Sequence, residues 1–193
     1  MPDQRTIWKR RLVLMAVVAL IVAIPVTVAV RGSDDDGEAP APVTDPPEVG
    51  NIEFDRKLGV ELRLPEGWKR KEEKGGAVSY RSRDGSVLIA ISAPGPANDY
   101  EEIAGAAIDS IEGEYRKVEV VDRIKNRKLG GARAVTAAIS AVNPENGVPL
   151  RILLSAAKGE KRAYLVEVFA AGEDPSNSLV EAQALLNNLK LTG

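Results

Sequence analysis

Residues 118–171 read VEVVDRIKNRKLGGARAVTAAISAVNPENGVPLRILLSAAKGEKRAYLVEVFAA, and this stretch decides the fold. It divides into four segments, Val118–Leu129, Ala132–Val142, Val148–Lys158 and Arg162–Ala171. Gly130-Gly131, Asn143-Pro144-Glu145-Asn146-Gly147 and Gly159-Glu160 separate them, and all three joints are rich in turn formers. Val148, Leu150, Ile152 and Leu154 recur at every second residue, the period of a strand with one buried face. Joints this short connect antiparallel neighbours, because a parallel pair needs a long crossover. The stretch is therefore a four-strand meander. Its second segment is rich in Ala, which predicts a strand packed closely under a helix.

Upstream, Leu58 to Leu64 alternates, with Val60, Leu62 and Leu64 on one side and Glu61 and Arg63 on the other. Pro65-Glu66-Gly67 stops that strand and Trp68 follows. Ala77 to Arg83 and Val87 to Ser92 are strands joined at Asp84-Gly85, a hairpin signal. Val87 to Ile91 is apolar throughout, so this strand should be central and covered on both faces. A helix is predicted after Pro94-Gly95-Pro96, with Asp99 and Glu102 as a capping box and Tyr100, Ile103, Ala107 and Ile111 on one face. A second helix is predicted from Asp174-Pro175, with Ser178 and Glu181 as its capping box and Leu179, Ala182, Leu186 and Leu189 facing the sheet. Runs of strands separated by single helices give an α+β fold, an antiparallel β-sheet flanked by helices as an α/β/α sandwich.

Residues 51–193 hold this domain. The first 50 residues differ in kind. Residues 1–11 carry Arg5, Lys9, Arg10 and Arg11 against Asp3 alone. Residues 12–30 carry no charge and would span ~28 Å as a helix, close to the hydrocarbon thickness of a bilayer. Trp8 stands at the edge of this stretch, where an amphipathic ring suits the headgroup layer. A basic flank before the span directs the N-terminus to the cytoplasm and the rest outside. The reading is one transmembrane signal-anchor helix in the cell (plasma) membrane, single-pass, with an extracytoplasmic C-terminal domain. A cleaved leader would have a shorter apolar core and small residues at the cut; Thr27-Val28-Ala29 matches that poorly. Residues 31–50 hold six acids and four prolines, the composition of an extended, disordered linker. Asp34-Asp35-Asp36-Gly37 looks like a calcium loop but lacks its alternating register and closing Glu.

The quoted motifs together resemble the PsbP-like domain family. They are a strand into Pro65-Glu66-Gly67-Trp68, a helix opening with Tyr100-Glu101-Glu102, the Leu129-Gly130-Gly131-Ala132-Arg133-Ala134 joint, and the closing Leu185-Leu186-Asn187-Asn188-Leu189. The resemblance covers about residues 51–192. It implies a central antiparallel sheet between helices, a fold that also occurs in an extrinsic photosystem II protein and in a nuclear-import factor that binds Ran. Many bacterial members are exported, membrane-anchored proteins. The resemblance implies no catalytic residue.

Composition excludes several chemistries. The chain of 193 residues has no Cys and no His. Disulfides, thiolate nucleophiles, Ser-His-Asp triads and the usual zinc sites are therefore excluded. No phosphate-binding loop or dinucleotide fingerprint is present. Residues 51–193 hold 21 basic and 21 acidic residues, a balance that argues against nucleic-acid binding. The densest basic stretch, Arg123, Lys125, Arg127 and Lys128, reads as a solvated strand face.

Candidate site residues are few. Glu72-Glu73 are adjacent in a charged loop, not opposed across a cleft as a glycosidase requires. Ser155 and Lys158 share a strand end, but a Ser-Lys dyad needs a desolvated Lys. Trp68 either covers the core with its ring or lines a small-molecule pocket between sheet and helix. Glu167 interrupts an apolar strand; if buried it needs a partner, and on an edge it would be solvated. No metal site and no cofactor is expected. The function expected is non-catalytic: a binding or assembly module for a neighbouring membrane or envelope protein. The alternative is a small-ligand sensor or carrier with a pocket near Trp68, and a hydrolase using carboxylates is a third reading.

Overall fold

The computed structural model describes residues 51–72, 76–172 and 177–192. The anchor stretch 12–30, the linker 31–50, the calcium-like loop 34–37, the side chains of Glu72 and Glu73 and the Asp174-Pro175 helix start lie outside them. Among the described residues no helix is long and apolar enough to cross a membrane.

Among the described residues, ten strands and two α-helices follow in the order β1 (Ile52–Asp55), β2 (Val60–Arg63), β3 (Lys69–Glu72), β4 (Val78–Arg81), β5 (Val87–Pro96), α1 (Tyr100–Glu114), β6 (Arg116–Leu129), β7 (Ala132–Val142), β8 (Pro149–Lys158), β9 (Arg162–Ala171), α2 (Asn177–Asn188) and β10 (Lys190–Leu191). Seven strands form one antiparallel sheet in the order β3-β4-β5-β9-β8-β7-β6. The expected meander is its β6-to-β9 half, and β5 inserts beside β9 through the pairing Val87↔Ala170 to Ser92↔Leu165. The sheet therefore joins the two strand runs at its centre, and β5 and β9 are buried on both faces.

The remaining strands form a small sheet in the order β1-β2-β10. The expected single sheet is thus two. The short strands escape a periodicity reading for different reasons. Lys69-Arg70-Lys71-Glu72 is wholly charged because β3 is an outer strand, where charge discourages further pairing. β10 has two residues and shows no period.

Alternation along each strand feeds two cores. On one face, Leu88, Val135, Ile139, Ile152, Leu154, Leu165 and Phe169 meet Ile103, Ala107, Ile108 and Ile111 of α1. Ala104 and Ala107 are fully buried, and their small side chains let the helix sit close to the strands. On the other face, Tyr80, Ile89, Ile91, Tyr164 and Val166 meet Val60 and Leu62 of the small sheet and Leu185 of α2. The second layer of the sandwich is therefore a helix together with a three-stranded sheet. Fully burying one such aliphatic side chain stabilises the fold by about 1.5–3 kcal/mol.

Polar contacts fix the small sheet onto the large one. Tyr164 Oη donates to Leu58 O at 2.8 Å, and Arg162 donates to Lys57 O at 3.0 Å. Arg70 of β3 binds Asp55 of β1 at 2.7 Å, and Asp55 Oδ1 also accepts the N–H groups of Lys57 and Leu58.

Two capping expectations are corrected. Asp99 stands at the N-cap of α1, but it ends a 3-10 turn at φ −89°, ψ 9°, and its side chain makes no capping hydrogen bond. Side-chain capping favours extended backbone at that position. Ser178 lies within α2, and Glu181 accepts a hydrogen bond from Trp68 Nε1 at 2.7 Å.

Candidate functional site

The site is built around the joint between β6 and β7. Gly130 and Gly131 turn there with φ of +59° and +83°, a region that costs other residues about 1–2 kcal/mol. A Cβ on Gly130 would stand 2.9 Å from Leu189 O and 3.1 Å from Leu191 Cγ. The absent side chain lets this turn press against the junction of α2 and β10. The Gly-Gly joint and the Leu-Asn-Asn-Leu segment, distant in sequence, thus meet in space.

Beside that contact lies a cleft of about 720 Å³. Its volume falls within the ~300–1,000 Å³ usual for ligand pockets. Leu153, Thr136 and Ser155 form its floor; Arg127 and Lys128 of β6 form one wall; Gln183, Leu186 and Asn187 of α2 form the other. Thr136 and Ser155 are cross-strand partners, each nearly buried, with their hydroxyl oxygens 3.3 Å apart. Their immediate neighbours on the same face are Ala134, Ala138, Leu153 and Ala157, so this hydroxyl pair stands among apolar side chains.

The charge at the cleft has one sign. Arg127 and Lys190 line it, and no carboxylate does among the described residues. Lys190 is already paired with Glu61 at 2.7 Å. Arg127 and Lys128 are exposed and have no carboxylate partner among the described residues. The basic stretch read as a solvated strand face therefore gives Arg127 to a concave surface, while Lys128, paired with Arg133, alternates to the other face of the sheet. Arg123 is exposed on the same strand.

Trp68 lies elsewhere. It is 6% exposed, packs in the core beneath α2 and does not line the cleft. Ser155 and Lys158 are not brought together: Ser155 is buried on the cleft floor, while Lys158, three residues on, is exposed on the opposite side of the strand.

Glu167 is 1% exposed on the central strand β9, facing α1. Burial, helped by the charge of Glu114, pushes its carboxyl up to about 7. Its Oε1 has no hydrogen-bond partner among the described residues, and neither does the hydroxyl of Tyr115, whose ring stacks on Phe169 at 6.3 Å. Burial and the nearby Glu114 and Glu167 raise Tyr115 as well. Burial also raises Glu114. Glu167 does not line the cleft. Among the described residues no three acidic side chains gather as a metal ion would require.

The cleft was missed in the sequence because pairing Thr136 with Ser155 requires the β7–β8 register. The available signal was two hydroxyl residues among aliphatic ones, on segments already read as neighbours.

An antiparallel sheet with α1 on one face and a small sheet plus α2 on the other is an α+β sandwich, the arrangement that the resemblance implied. No family model and no curated protein matches the sequence. Solved structures match the fold. The Ran-binding protein Mog1p of Saccharomyces cerevisiae aligns with a TM-score of 0.50 at 9% identity, over 74% of this chain and 96% of that one. A protein of Bacteroides thetaiotaomicron aligns with a TM-score of 0.51 at 14% identity, over 75% of this chain and 49% of that one. The cyanobacterial PsbP of Synechocystis aligns with a TM-score of 0.48 at 17% identity, over 79% and 98%. At these identities the likeness is one of fold.

Proposed function

We propose that the chain is a single-pass membrane protein that displays residues 51–193 outside the cytoplasm as a non-catalytic binding or assembly module. Its partner is a neighbouring membrane or envelope protein. The observation that carries this reading is the order of segments: a basic flank, nineteen uncharged residues, an acidic proline-rich spacer and then a folded domain. The spacer of twenty residues gives a reach of ~25 Å even as a flexible coil. That distance keeps the domain near the bilayer surface.

Two features of the domain support the reading. Ile52 and Phe54 are 59% and 51% exposed on β1, the outer strand of the small sheet, immediately after the spacer. An apolar strand edge next to the tether suits contact with a membrane-proximal protein. The fold also serves binding in Mog1p, which is a Ran-binding protein.

In-cell crosslinking of the full-length chain, followed by purification and mass spectrometry, tests the proposal. A version with the spacer shortened is the control. A specific partner captured by the full chain and lost on shortening is the expected result. No partner in either sample overturns the assembly reading.

A further inference from the structure

The cleft between β6 and α2 has no part in the anchored-module reading, and its chemistry is independent of how the domain is displayed. We propose that this cleft is a binding site for a phosphorylated, polyhydroxylated small molecule of the sugar phosphate class.

The two walls of the cleft differ in chemistry, and that difference assigns the two halves of the ligand. The β6 wall presents Arg127, which no carboxylate neutralises among the described residues. A guanidinium presents a planar fork of donors that matches phosphate oxygens. The α2 wall presents the side-chain amides of Gln183 and Asn187. Each amide offers both donors and an acceptor, which is the complement of a row of hydroxyl groups. The floor adds the Thr136 and Ser155 hydroxyls. Two hydroxyls sharing one hydrogen bond between them retain a donor and free lone pairs for a third group.

The negative end of α2 also opens here, and it sets the orientation. Carbonyls in a last helical turn repel an anion. Two are already occupied: Asn188 Nδ2 donates to Ala184 O at 2.8 Å, and the Leu189 N–H donates to Leu186 O at 3.3 Å. The phosphate therefore sits against β6, away from the helix end. The hydroxyls face α2, where remaining carbonyls act as acceptors. Leu153 and Leu186 supply apolar surface for the carbon face of a sugar ring. The cleft volume of about 720 Å³ accommodates one such molecule rather than a polymer.

Ligand-observed NMR with the full chain in nonionic detergent tests the proposal. The probes are a hexose phosphate, the parent hexose and inorganic phosphate, at matched ionic strength. The hexose phosphate is expected to bind more tightly than either fragment, and more weakly as salt rises, because Arg127 is exposed. Arg127→Ala should weaken it roughly tenfold or more, the usual effect of losing a charge-assisted hydrogen bond. Ser155→Ala should weaken it several-fold while keeping the strand apolar and folded. Arg151→Ala removes an exposed cation from β8 that does not line the cleft, and should leave binding unchanged. Equal binding of hexose and hexose phosphate overturns the anionic half of the proposal, and equal binding of phosphate and hexose phosphate overturns the hydroxyl half. Binding by none of the probes, or undiminished binding by Arg127→Ala, overturns the whole.

Discussion

Glu167 offers a test of the packing beneath α1. Its carboxyl moves from 4.5 to about 7 on folding, because burial opposes the charge and Glu114 adds to it. The native state then holds a proton that the unfolded chain has released across that range. Stability falls with rising pH wherever the folded state binds more protons. The domain should therefore lose stability between pH 4.5 and about 7 and then level off. At 1.36 kcal/mol per unit, the loss is about 3 kcal/mol. Glu167→Gln keeps the shape and removes the proton equilibrium. The variant should match the parent near pH ~4 and exceed it by about 3 kcal/mol near pH ~8. Urea unfolding followed by Trp68 fluorescence, in a Trp8→Phe background, measures both. The acids held low in the folded state do not confuse the result, since Asp84 sits at about 2 and titrates below this window. A parent whose stability is flat or rises across the window would refute the reasoning, as would a pH dependence that Glu167→Gln leaves undiminished; burial of Glu114 adds a separate dependence of the same sign.

Two more outcomes rest on local geometry. Gly131→Ala meets no atom within 4 Å and should cost about 1–2 kcal/mol for its positive φ alone, whereas Gly130→Ala also drives a Cβ into Leu189 O. Paired urea titrations should show Gly130→Ala at least twice as destabilising, and equal effects would mean the turn does not press on α2. Burial opposes ionisation of Asp84, but the Ser82 hydroxyl at 2.6 Å and the N–H and hydroxyl of Ser86 outweigh it and hold the carboxyl at about 2. Its contribution should be complete above pH 3.8 and fade as pH falls toward 2, so Asp84→Ala should cost about 1–2 kcal/mol near neutrality and shift the acid-unfolding midpoint upward.

Legibility in the sequence tracked how much of the physics is local. The β8 alternation and the two-sided burial of β5 were visible because side chains on a strand alternate wherever a face is buried. The hairpin at Asp84-Gly85 was visible because its residues fit the turn, with Gly85 at φ +76°. β3 was read as a charged loop because its stability comes from pairing with β4, not from burying its own side chains. Glu167 was left undecided, since an acid in an apolar run is equally consistent with an edge; pairing with Ala90 on one side and Leu154 on the other settles its place at the sheet centre. The cleft was the least legible part. Its walls come from β6 and α2, and only the close approach at Gly130 brings them together.

The irregularity of β6 bears on how such molecules share a surface. This outer strand of fourteen residues shifts register against β7 three times, between Arg116 and Glu119, Val120 and Asp122, and Ile124 and Arg127. Each shift bends the strand and breaks the even spacing of its outward amide groups. On the proposed display, copies held on one membrane by short tethers would meet at high effective concentration, where a straight unpaired strand acts as a template for its own copies. A strand broken into short, misaligned runs offers no template longer than a few residues. Crowding on that membrane would then raise the rate of encounter between copies without seeding a continuous sheet through them.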